Sequence, residues 1–339
     1  MSGRGHGGGT GSSSAGKRKQ STAASRQGKA RATRTGNAGT VRKRRQTSRP
    51  KSSRRRRKAG PLARAWRRAN WRTRLRMVLI PTVTVIAVVA LVIAAVRFVR
   101  WRGAVIAAEK AQLEMAKTYG FNPGNIISDG QFFNGSAMSE AEVQSFLDAQ
   151  GGSLATMTFD TASESGEGLC EDFTGARGQS AAAIIARAGA ACGVSQKVLL
   201  TVLQKEQHLV TAVDPDAFQL RSAMGLNCPD TADCDPAYDG FARQVYGAAK
   251  RYRYYLANED RYGYRANSLN YIRYHPDQAC GGSEVYIENK ATALLYIYTP
   301  YQPNVAALAA GNGTGDACSS YGNRNFDLIY SGWFGSPRA

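Results

Sequence analysis

Residues 77–96, MVLIPTVTVIAVVALVIAAV, run for twenty positions without a charged side chain. As a helix rising ~1.5 Å per residue this run measures ~30 Å, the thickness of a bilayer's hydrocarbon core, so it is expected to form a transmembrane helix. The rest of the chain sorts itself around that run. Residues 1–76 contain 25 Lys and Arg and no acid, whereas all 25 Asp and Glu and all six cysteines come after it. The formal net charge of +20 is therefore carried by an N-terminal arm. Pro81 falls in the first turn of the expected span, where its missing N–H does least harm, and Trp66, Trp71 and Trp101 flank it as interfacial anchors do. Eight Lys and Arg occupy the twenty residues before the run and four the twenty after it. By the positive-inside rule the N-terminus is cytoplasmic and the C-terminal part extracytoplasmic, in a single-pass cell-membrane protein. The ~75 residues ahead of the run argue against a cleaved signal peptide.

An even cysteine count confined to the outer side predicts three disulfides in an oxidising compartment. Cys228 and Cys234 are the easiest local closure, while the other pairings stay open among the fifteen that six cysteines allow. No C-x-x-C pair occurs and His208 and His275 lack ligand spacing, so no metal or other cofactor is expected.

Residues 1–60, rich in Gly, Ser, Thr, Arg and Lys, have too little apolar surface to offset the entropy of ordering and are expected to be disordered. The Lys43-Arg44-Arg45 and Arg54–Arg57 clusters lack interleaved aromatics and a folded base-reading motif, which favours anionic membrane lipid over nucleic acid as the arm's partner. The layout expected is thus a basic cytoplasmic arm at 1–76, a span at 77–96, a helical stalk at 97–119 and an extracytoplasmic domain at 120–339, its core at about 180–305.

The fold class expected for that domain is mainly α. Ser139-Glu140-Ala141-Glu142 is a capping box opening a helix to about Ala149. Ser180 caps Ala181–Ala191, Gly193 ends that helix, and Ser195 opens the next at once. Further helices are expected over Tyr238–Asn258 and Ile287–Ile297, followed by a Gly-rich tail ending in Trp333-Phe334.

The helix opened by Ser195 carries the candidate chemistry. At ~100° per residue, Leu199, Val202, Leu203, Leu209 and Val210 share one arc, and Lys197, Thr201, Gln204, Lys205 and His208 the opposite one. Glu206 lands in the middle of the apolar arc. A carboxyl group among apolar neighbours keeps its proton more readily, as a general acid must, although the same position suits a rim residue or an arginine's partner. Fifteen of the sixteen tyrosines lie from Tyr238 onward. Their apolar faces and hydroxyls suit stacking on sugar rings, and equally a half-buried place in the core.

Gly193-Val194, Val198-Leu199-Leu200 and Lys205-Glu206-Gln207 together resemble the catalytic-helix segment of the lysozyme-like superfamily, with lytic transglycosylases and glucosaminidases as the nearest members. Ser222-Ala223-Met224-Gly225-Leu226 resembles that family's Gly-Leu-Met-Gln turn, Tyr238–Leu256 the helix that follows, and Tyr296–Tyr301 the aromatic wall of its groove. The ectodomain also resembles an actinobacterial membrane-anchored group labelled hemagglutinin-like. The resemblance implies a lysozyme-like, disulfide-stapled ectodomain that cleaves β-1,4 bonds of peptidoglycan glycan strands, with Glu206 as its single general acid. A second carboxylate is sought among Asp214, Asp216, Asp230 and Asp239, with Asp216 the first choice. Gln207, Met224, Gly225, Tyr254, Tyr296, Tyr298 and Tyr301 are the expected substrate-binding residues. Gln207 stands where the family commonly has Ser, and Cys228-Pro229 where it has Gln, which favours the alternative of a wall-binding or adhesive protein that does not cleave.

Overall fold

The computed structural model describes residues 60–229 and 233–339. The expected disorder of residues 1–59 and the candidate Asp230 lie outside the described residues. In chain order the helices are α1 Pro61–Arg68, α2 Trp71–Tyr119, α3 Asp129–Phe132, α4 Glu140–Gln150, α5 Ala181–Cys192, α6 Gln196–Gln207, α7 Ala217–Arg221, α8 Phe241–Ala257, α9 Lys290–Tyr298, α10 Val305–Ala309 and α11 Gly322–Phe334. Two antiparallel strand pairs accompany them: β1 Thr158–Phe159 with β2 Gln179–Ser180, and β3 Ser268–Arg273 with β4 Gly282–Ile287. The fold is mainly α, as the sequence predicts.

The expected span and stalk form one unbroken helix, the 49-residue α2. Its side chains are exposed from residue 71 to 104, including the whole uncharged run, which is consistent with a single-pass membrane anchor. Because α2 begins at Trp71, Pro81 lies inside the helix rather than in its first turn. Two hydroxyls add bonds beside the proline, Thr82 Oγ1 donating to the Val78 carbonyl at 2.7 Å and Thr84 Oγ1 to that of Ile80 at 2.8 Å.

The C-terminal part of α2 is no free stalk. Val105, Ala108 and Gln112, at spacings of three and four, are buried on one face. The Gln112 amide accepts from Tyr286 N at 2.8 Å and donates to Tyr286 O at 3.1 Å, occupying the edge of β4 as a neighbouring strand would. Gly124 passes so close that a Cβ there would lie 1.9 Å from Gln112 Nε2 and 2.3 Å from Tyr286 O, so no side chain fits.

One hydrophobic core runs from Phe121 to Tyr330, wider than the expected 180–305. Ile126, Ile127, Phe132, Val143 and Leu147 enter from the N-terminal side and Phe326 and Tyr330 from the C-terminal side. Phe326 and Tyr330 belong to α11, which packs on α6 and occupies what reads as a Gly-rich tail; their i, i+4 spacing turns both inward. The hairpin β3–β4 is likewise absent from the sequence expectation. Its buried Ile272, Val285 and Ile287 alternate with outward side chains, and the helix expected from Ile287 starts instead at Lys290, where Asn289 Oδ1 accepts from Thr292 N at 2.8 Å.

Local signals elsewhere hold. The Ser139–Glu142 capping box closes in both directions. Ser180 Oγ accepts from Ala183 N at 3.0 Å, and Gly193 ends α5 at φ +61°. Ser195 is an exception: it is fully buried, its N–H donates to Phe132 O at 2.9 Å, and its hydroxyl has no partner among the described residues. The six cysteines form three disulfides, Cys170–Cys192, Cys228–Cys234 and Cys280–Cys318.

Candidate functional site

Glu206 sits in the last turn of α6, which His208 closes in a left-handed conformation at φ +55°. Its side chain, 25% exposed, forms part of a groove of about 650 Å³ that also takes in Gln207, Phe218, Arg221, Asp233 and Asp239. The Cys228–Cys234 disulfide walls one side. The surroundings of Glu206 are not the purely apolar ones expected. Lys205, assigned by helical periodicity to the polar arc, is only 8% exposed. Its Nζ pairs with Glu206 Oε1, donates to Thr299 Oγ1 at 3.3 Å and lies 5.6 Å from the Tyr298 ring centroid. A helical wheel places a Cα, and a four-carbon stem carries the charge round to another face.

Opposite Glu206 runs the turn at 222–228. Gly225 adopts φ +66°, and a Cβ there would stand 3.3 Å from Glu206 Oε2, so this residue permits both the turn and the approach of the carboxylate. Three helices hold the turn in place. From α8, the buried Gln244 uses its whole amide: Oε1 accepts from Met224 N at 3.1 Å and Leu226 N at 3.0 Å, and Nε2 donates to Leu226 O at 3.0 Å and Tyr238 O at 2.9 Å. Arg251 of the same helix donates to Asn227 Oδ1 at 3.1 Å. From α9, the Tyr298 hydroxyl donates to Met224 O. From α7, Phe218 O accepts the Ser222 hydroxyl at 2.6 Å.

Two tyrosines border the carboxylate from below. Burial, and after it the Glu206 charge, pushes the hydroxyls of Tyr252 and Tyr298 well above the usual tyrosine range, so both remain protonated donors at neutral pH. The Tyr252 hydroxyl is buried and has no hydrogen-bond partner among the described residues.

Glu206, Gln207 and Gly225 thus meet at one groove, with Tyr298 half-buried beneath it. The other expected residues are distributed differently. The Met224 side chain is in the core, and its backbone is what anchors the turn. Tyr296 is fully buried and donates to Pro123 O at 2.9 Å, a core tyrosine rather than a groove wall. Tyr254 lines a separate depression with Lys250 and Arg251, and Tyr301 lies beside Arg273 of β3. Asp216 caps α7: its carboxylate accepts from Gln219 N at 2.8 Å, while Gln219 Oε1 accepts from Asp216 N at 3.0 Å. Among the described residues, the acids that share the groove with Glu206 are Asp239, one of the sequence candidates, and Asp233. Asp233 adjoins Cys234, so closing the local disulfide gives a sequence-level reason to place it near Gly225. Lys205 and Gln244 carry no such signal. Asp239 also borders a second depression of about 680 Å³, with Phe159 and Phe241 stacked at its side, their ring centroids 4.5 Å apart.

Residues 125–339 match the family described as LasA, N-terminal domain. No curated protein and no solved structure gives a match.

Proposed function

The chain belongs to the LasA N-terminal domain family through residues 125–339, and we propose, from the geometry of its groove, that it is a membrane-anchored protein whose extracytoplasmic domain cleaves β-1,4 bonds of cell-wall peptidoglycan in a lysozyme-like manner. One observation carries this reading: Glu206 ends an apolar helix at a groove, its Oε2 set against the side-chain-free Gly225. Glu206 gives its proton to the bridging oxygen as the C–O bond breaks and oxocarbenium character develops. The resulting carboxylate then takes a proton from the attacking water, or from the sugar's own 6-hydroxyl, and the acid is regenerated. Asp239 and Asp233 replace Asp216 as the carboxylates available to stabilise the positive ring. The basic arm stays on the cytoplasmic side, against anionic lipid.

A second reading is favoured by the same site. The Glu206 charge is already matched by Lys205, and Gln207 stands beside it, an arrangement that suits a domain that binds wall glycan without cutting it. Digestion of purified peptidoglycan by the full chain in detergent, wild type against Glu206→Gln, separates the two, with released fragments weighed by mass spectrometry. Release by wild type alone supports Glu206 as the acid, and a product lighter by one water marks the transglycosylase route. Sedimentation of both proteins with the wall, and release by neither, makes the domain a binding module.

A further inference from the structure

Lys205 is a buried lysine for which the reading above has no use. Its Nζ contacts are Glu206 Oε1, Thr299 Oγ1 and the face of Tyr298, and Thr299 is itself held through its carbonyl by Asn323 Nδ2 at 2.9 Å, from α11. Stability alone does not call for such a pair: replacing both of its members by well-packed apolar side chains of similar volume is often neutral or stabilising. What the pair does is distinguish the two oxygens of Glu206. Oε1 is held by the ammonium, and Oε2 is left beside Gly225, where no side chain intervenes.

We propose that Lys205 is the positioning residue of this site, holding Glu206 by Oε1 so that Oε2 is the oxygen that exchanges the proton with the glycan. The inference rests on the glycan-cleaving reading. As the proton leaves Oε2 for the bridging oxygen, negative charge develops on a carboxylate whose other oxygen already faces a fixed positive charge. Interactions that strengthen as charge develops lower the barrier without tightening ground-state binding. In the second half of the cycle the same contact keeps the carboxylate oriented while Oε2 takes the proton back from water or the 6-hydroxyl.

The test compares full-length wild type, Lys205→Met, Lys205→Arg and Glu206→Gln on peptidoglycan, with kcat, KM and the thermal midpoint measured for each. Lys205→Met is expected to lose ~100–1,000-fold in kcat, the range for removing one charge-stabilising donor, with KM changed by less than about twofold and a midpoint that stays above the assay temperature. Lys205→Arg, which keeps the charge, is expected to restore part of kcat. Wild-type kcat in Lys205→Met beside an inactive Glu206→Gln overturns the inference and leaves the glycosidase reading standing. A kcat loss matched by a collapsed midpoint and unrelieved by arginine makes Lys205 merely structural and also overturns it. Inactive wild type, or active Glu206→Gln, removes the glycosidase reading and this inference together.

Discussion

Replacing Gln244 by Leu tests whether the turn that faces Glu206 is held by one side chain. The volume is nearly kept, so the packing of a residue that is almost fully buried is little disturbed. The loss is four hydrogen bonds to Met224 N, Leu226 N, Leu226 O and Tyr238 O, at 2.9–3.1 Å. At about 1 kcal/mol net each, the cost is about 4 kcal/mol, a large share of the 5–15 kcal/mol typical of a whole domain. For a domain of this size that is a fall in melting midpoint of roughly 8–16 °C, read by circular dichroism under non-reducing conditions. Gln244→Glu, which sets a carboxyl oxygen against the Leu226 and Tyr238 carbonyls where the amide donated, is expected to fall at least as far as Gln244→Leu. A Gln244→Leu midpoint within about 3 °C of wild type would refute the reasoning, since the turn would then find its partners elsewhere.

Gly225→Ala puts a Cβ into a left-handed position beside Glu206 Oε2; the expected cost is about 1–2 kcal/mol, and peptidoglycan cleavage should fall by more than the melting midpoint accounts for. Gln112→Ala removes both bonds to Tyr286, so hydrogen exchange should accelerate across residues 105–119 and along β4, and unchanged protection would mean that α2 docks by other contacts. Acid should destabilise the fold through Glu142 and Asp316. The Ser139 backbone N–H and hydroxyl hold the Glu142 carboxyl below its usual range, and the Asn304 and Ser319 side chains do the same for Asp316. The native state then binds fewer protons than the unfolded chain, so this stabilisation is complete above the unfolded values of about 4 and is lost as pH falls through the folded ones. Glu142→Gln and Asp316→Asn should flatten the acid limb of the urea midpoint against pH, and an unchanged limb would remove both groups from the account.

Most of what was legible in the sequence is short-range. The uncharged run at 77–96 reads as helix because all its side chains but Thr82 and Thr84 are apolar, and α4 and α5 are announced by Ser139 with Glu142 and by Ser180 with Gly193, groups that bond within three or four residues of themselves. Even Glu206 was marked by its place on a local apolar arc. What the tertiary structure alone decided lies at longer range: Gln244 reaches Met224 over 20 residues, Tyr298 reaches it over 74, Lys205 meets Thr299 over 94 and Gln112 meets Tyr286 over 174. The same distances sent Tyr296 into the core and Asp216 to a helix cap, and brought Asp239 and Asp233 to the groove. Helical periodicity and caps follow from backbone geometry over one turn, whereas the partner of a buried amide or ammonium is whatever the packed core places within ~3 Å of it.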